Sequence, residues 1–144
     1  MKIWTFFLPV VASCFVFPSL SAAQTTDPVL LSALSKKAVA GDASAMFELA
    51  MRYQSGRQVH QTVELGVQWL KNAAFAGSTR AMDRLGDMYY NGDGGVTQNY
   101  GEALKYYHCA ADRGSAQGMQ GLGDYFKGGH VVPKDLTQAN AWYA

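Results

Sequence analysis

An all-α solenoid of stacked helix-turn-helix units is the fold class this sequence predicts, and three observations predict it. Residue types recur in register at a spacing of 36 to 37, from Gly41 to Gly77 to Gly114. Within each interval the apolar residues fall on one face of a 3.6-residue period. Each apolar run is then bounded by residues that start or stop helices.

The register is dense. Met46, Met82 and Met119 coincide, as do Leu49, Leu85 and Leu122, and then the aromatics Tyr53, Tyr89 and Phe126. Gly56, Gly92 and Gly128 follow, and next Val59, Val96 and Val132. Seven residues after each Val stands a small residue (Gly66, Ala103, Ala139), and ten after it a bulky aromatic (Trp69, Tyr106, Trp142). The one-residue length difference lies between Gly and Val, in a loop, where insertion costs little.

Taken in order, residues 1–23 precede the array. Lys2 is the single charge before Asp27, Ile3 to Val16 is apolar, and Ser21-Ala22-Ala23 places small residues before Gln24. That layout predicts a secretory signal peptide cleaved after Ala23, hence a periplasmic or secreted protein with no membrane insertion after cleavage. The alternatives are an uncleaved anchor and a lipoprotein tethered at Cys14, because Val11-Ala12-Ser13-Cys14 is similar to a lipobox. Residues 24–40 predict a capping helix opened by Asp27 and Pro28, with Leu30, Leu31, Leu34 and Ala38 on its apolar face.

Repeat one spans 41–76, repeat two 77–113 and repeat three 114–144. In each, the first helix carries the Met, Leu and aromatic positions, and the glycine after the aromatic is expected to end it in the left-handed conformation. The second helix starts at Thr62, Asn99 or Asp135, all N-cap types. Small and aromatic positions alternate because Ala or Gly lets helix axes approach while the aromatic fills space between repeats. Gly118, Gly121 and Gly123 in one helix predict that repeat three is the least stable. Its second helix reaches Ala144 before the counterparts of Ala73-Ala74 and Ala110-Ala111, leaving an open face suited to end-to-end self-association or to a continuation of the array.

Charge excludes one class of function. Of 12 Lys and Arg, cleavage removes Lys2, leaving 11 against 11 Asp and Glu, so the mature chain is neutral. A nucleic-acid partner needs a basic footprint, and none is present.

The pattern Ala81-Met82…Leu85-Gly86…Tyr89…Gly92…Gly95-Val96…Ala103…Tyr106…Ala110-Ala111…Gly114 resembles the Sel-one-like repeat, a relative of the tetratricopeptide repeat. The resemblance covers about residues 41–144 and implies a right-handed α-solenoid that binds a protein or peptide on its concave face, as an envelope regulator, secretion factor or immunity-type adaptor. Repeat one departs from the pattern by exchanging the usual Gly and Ala at Ala50 and Gly66.

The first helices are expected to line that concave face. The side of them opposite the core positions carries Phe47 and Met51 in repeat one, Arg80, Asp83, Arg84 and Asp87 in repeat two, and Gln120 and Asp124 in repeat three. Phe47 and Met51 either pack under the capping helix or form an apolar contact patch, and the charged set is either a solvated face or part of the partner site. Neither a metal nor a cofactor is expected. His60, His108 and His130 are scattered, and Cys109 is expected to be a small buried residue beside Ala110 and Ala111. Asp83 and Asp87 share a helix face, but without an enclosing pocket they do not predict an acid–base pair. A hydrolase acting on cell-wall or β-lactam substrates is therefore the weaker alternative to an adaptor, and a non-functional piece of a longer array is a third.

Overall fold

The computed structural model describes residues 28–55, 63–130 and 133–144. These hold seven helices and no strand: α1 (Pro28–Val39), α2 (Ala43–Ser55), α3 (Val63–Phe75), α4 (Thr79–Asn91), α5 (Tyr100–Ala111), α6 (Ala116–Gly128) and α7 (Leu136–Tyr143). Helices α2, α4 and α6 are the first helices of successive repeats, and α3, α5 and α7 the second. The signal-peptide expectation, the N-caps at Asp27 and Thr62, and the C-cap at Gly56 fall outside the described residues.

The repeats are joined by one connector, used three times. Gly41, Gly77 and Gly114 stand at φ values of 100°, 94° and 82°, a region only glycine enters freely. Their N–H groups donate to the carbonyls of Ala38, Ala74 and Ala111, and those of Asp42, Ser78 and Ser115 to Lys37, Ala73 and Ala110. This pair of bonds is the Schellman closure of a helix. The residue after each glycine then caps the next helix: Asp42 accepts from the N–H of Ala45, Ser78 from Ala81 and Ser115 from Gly118. Stop and start signals share adjacent residues, so the chain reverses with little freedom in angle. The same bonds at α1 put that helix in the register of α3 and α5, with Ala38 aligned to Ala74 and Ala111.

Helix α1 packs Leu31, Leu34 and buried Ala38 against Ala45 and Leu49 of α2. Leu30, expected on that apolar face, is exposed instead. The main core joins α2, α3 and α4 through Ala50, Leu70, Leu85 and Met88, and a second core joins α5 and α6 through Ala103, Tyr107 and Leu122. The caps of the later second helices match expectation, with Asn99 and Asp135 accepting from the N–H groups of Glu102 and Gln138. One C-cap does not: α6 runs through Gly128 and ends at Gly129, φ 67°, because Gly129 donates back to Tyr125. Cys109 is a further correction. It is exposed, since Ala110 and Ala111 take the buried face of α5 and turn the adjacent residue outward.

The glycines of α6 are slots between helices. A Cβ on Gly118 would come within 2.8 Å of the Ala111 backbone nitrogen, one on Gly121 within 2.5 Å of the Tyr107 ring, and one on Gly123 within 2.3 Å of Tyr143. Helix propensity is given up here for close approach of α6 to α5 and α7.

Candidate functional site

Two residues of each later repeat act as a unit with the tyrosine opposite them. Tyr107 of α5 lies over Gly86 of α4, where an added Cβ would be 2.5 Å from the ring, and its hydroxyl donates to Asp87 Oδ1 at 2.9 Å. One repeat on, Tyr143 lies over Gly123 and its hydroxyl donates to Asp124 Oδ1 at 2.7 Å. The glycine makes room for the ring, and the following aspartate receives the hydroxyl. A buried phenol needs such a partner, and Tyr107 is only 3% exposed. Burial and the Asp87 charge push the Tyr107 phenol far above its ordinary pKa. The bond to Asp124 pushes the Tyr143 phenol up to about 12.

Between α4 and α6 these units border a groove of about 520 Å³. Asp87, Tyr90 and Asn91 line it from α4, Gln117, Gln120, Gly121 and Asp124 from α6, and Tyr107 from its floor. Gln117 Nε2 donates to Asp87 Oδ2 at 2.9 Å, across the two first helices. The groove therefore lies on the face formed by the first helices, at the junction of repeats two and three. Its walls are polar, and its carboxylates are held by hydroxyl and amide donors.

The predicted site residues divide among three places. Asp87, Gln120 and Asp124 come together in the groove. Asp83 is 6% exposed and turns into the repeat junction, where the Ser115 hydroxyl donates to its Oδ2 at 2.6 Å while Oδ1 has no hydrogen-bond partner. Burial raises the Asp83 pKa, the bond from Ser115 opposes that, and the Asp87 charge adds to it. Phe47 and Arg80 meet at the other junction, with the guanidinium 4.4 Å from the ring centroid. Phe47 thus packs forward against the core of α3 and α4, and not back under α1. Met51 and Arg84 are half-buried, and the Arg84 Nε has no hydrogen-bond partner.

Asp83 and Asp87 thus serve as acceptors between repeats. Among the described residues no three His, Cys, Asp or Glu side chains are placed to hold a metal ion. The two tyrosines and the groove residues Tyr90 and Asn91 escaped the reading of the sequence. The available signal was a joint change of register: Ala50, Met51 and Leu70 in repeat one become Gly86, Asp87 and Tyr107, then Gly123, Asp124 and Tyr143.

Comparison with known proteins bears on the whole array. A Sel1 repeat protein from Oxalobacter formigenes shares 37% identity and superposes with a TM-score of 0.72, over 78% of this chain and 84% of that one. A protective antigen of uropathogenic Escherichia coli, c5321, which displays an SLR fold, shares 36% identity with a TM-score of 0.73 over 78% of this chain. Chitin synthase regulatory factor 1 of Schizosaccharomyces pombe is 33% identical over 90 residues, 60% of this chain. The chain spans about 24% of the length of the antigen and 20% of that of the yeast factor. The Sel1 repeat model matches residues 43–78, 79–115 and 116–144, each beginning at a first helix, and the chain belongs to the Sel1 repeat family.

Proposed function

We propose that this chain is an exported adaptor that holds a segment of another protein in the groove between α4 and α6. Sel1 repeats are a fold for protein–protein interaction and are generally non-enzymatic scaffolds, which supports a binding role. The observation that carries the finer reading is the groove itself. Its volume of about 520 Å³ falls within the range of ligand pockets. Its wall residues stand on rigid helices whose carboxylates are already oriented by Tyr107, Gln117 and Tyr143. Pre-oriented polar groups lower the ordering cost of binding. The regulatory role named for the yeast relative is compatible with such an adaptor.

The export half of the proposal rests on residues 1–23 and has its own test. Mass spectrometry of the chain expressed in a Gram-negative host should find an amino-terminus at Gln24. A lipid-modified Cys14 would replace the soluble reading with a tethered one, and an intact amino-terminus in the cytoplasm would end it. For the binding half, partners captured from envelope extract by the chain should be lost with Asp124→Lys. Retention of every partner by a folded Asp124→Lys protein would place binding elsewhere.

A further inference from the structure

Helix α4 is sorted by charge across its width. Arg80 stacks on Phe47 of α2, and Arg84 occupies in α4 the register that Gly121 occupies in α6, so both arginines belong to the junction with repeat one. Asp83 and Asp87 belong to the junction with repeat three, where they bond to Ser115, Tyr107 and Gln117. Neither arginine lines the groove, and no lysine does.

Every hydrogen bond that reaches Asp83, Asp87 or Asp124 comes from a neutral donor: Ser115, Tyr107, Gln117 or Tyr143. The ion pairs among the described residues, Arg52–Glu48 and Lys105–Glu102, involve none of the three. Neutral donors satisfy lone pairs but leave the formal charges in place. Asp87 and Asp124 line the groove, with Asp83 buried at the same junction, and none of the three has an ion-pair partner among the described residues. Burial chiefly raises the Tyr107 and Tyr90 phenols, with Asp87 adding to the first and Asp124 to the second.

We infer that the α4–α6 groove selects a polypeptide segment bearing lysine or arginine, whose cationic side chain lies between Asp87 and Asp124. The inference rests on the docking reading above and adds the chemistry of the partner. Side-chain amides suit the rest of such a segment, because Asn91 and Gln120 can each donate to and accept from an extended backbone. The matching position at the first junction offers no such preference. Met51 and Leu70 stand where Asp87 and Tyr107 stand, and Phe47, stacked under Arg80, takes the place of Asp83.

Amide shifts in nuclear magnetic resonance spectra of the purified chain test this against three Gly/Ser peptides carrying a central Lys-Lys, Glu-Glu or Gln-Gln pair. The Lys-Lys peptide should shift Asn91, Gln120 and Gly121 and bind about tenfold more tightly than the other two at low salt. That preference should fade as salt is raised to about 0.5 M. Asp87→Asn and Asp124→Asn, which keep an acceptor for each tyrosine, should each cost about tenfold in Lys-Lys affinity with the melting temperature preserved. If either variant unfolds, the salt dependence of the unmodified chain decides. Equal binding of the Gln-Gln peptide, groove shifts with the neutral sugar maltotetraose of the same size, or no groove shifts with Lys-Lys would each overturn the inference. If it fails while Asp124→Lys still loses captured partners, the docking reading stands and only the partner's charge is wrong.

Discussion

Repeat one and repeat two solve the same packing problem with different residues. Both must let a first and a second helix approach closely. In repeat one the small residue sits on the second helix: a Cβ on Gly66 would meet the Gln54 side chain at 2.7 Å and the Ala50 carbonyl oxygen at 3.2 Å. The facing pair is Ala50 with Leu70, both fully buried. In repeat two the small residue moves to the first helix as Gly86, and the space it vacates is taken by the larger Tyr107. A tyrosine brings a hydroxyl that must be satisfied, and Asp87 satisfies it where repeat one has Met51. The apolar version buries its facing pair, while the polar version leaves an oriented carboxylate at the groove. The core substitution at Gly86 and Tyr107 thereby brings the Asp87 carboxylate to the groove between α4 and α6.

The sharpest way to break this comparison is Gly86→Ala. Its methyl would press on the Tyr107 ring, which is also confined by Gly121, so we expect a loss of about 2 to 3 kcal/mol in urea unfolding. Combining Gly86→Ala with Asp87→Met, Ala103→Gly and Tyr107→Leu recreates the repeat-one set and should recover most of that loss. A Gly86→Ala protein as stable as the parent, through the higher helix propensity of alanine, would sink the idea.

A smaller effect separates the two tyrosines. Tyr107→Phe removes a donor from Asp87 in a buried setting and should cost about 1 to 2 kcal/mol. Tyr143 is 43% exposed, so water can replace its hydroxyl at Asp124, and Tyr143→Phe should cost a few tenths. Equal costs for the two would show that the bond, and not its burial, sets the energy.

The smallest effect is a pH dependence that the apolar junction lacks. Burial raises the Asp83 pKa in the fold, so the fold favours the protonated acid. The sign follows: its contribution to stability is fully present below the ordinary carboxyl pKa and lost as pH rises through the raised value. Melting temperatures between about pH 4 and 7 should slope less in Asp83→Asn than in the parent. Identical slopes would remove Asp83 from the account.

Most of the architecture was legible in the sequence, because the repeated Met, Leu, aromatic and Gly positions each act within one helix or turn. Asn99 and Asp135 cap their helices as their types require. The site was legible only in part. Asp87, Gln120 and Asp124 could be placed on the right face by periodicity, but Asp83, one turn before Asp87, could not be separated from it without knowing where Ser115 would arrive. The destination of Phe47 likewise depends on neighbours contributed by other helices. Tyr107 and Tyr143 were hidden for the same reason: their partners precede them by 20 and 19 residues, across a loop.

The position of Tyr107 has a consequence for how the array comes apart. Its ring fills slots on both sides at once, Gly86 of its own repeat and Gly121 of the next. In a chain of repeats, cooperativity depends on how much of each unit's energy is shared with its neighbour. Here one side chain belongs to both terms, so fraying of α6 also uncovers the pairing of α4 with α5. Repeats two and three should therefore open as one unit, with the groove lost in the same step.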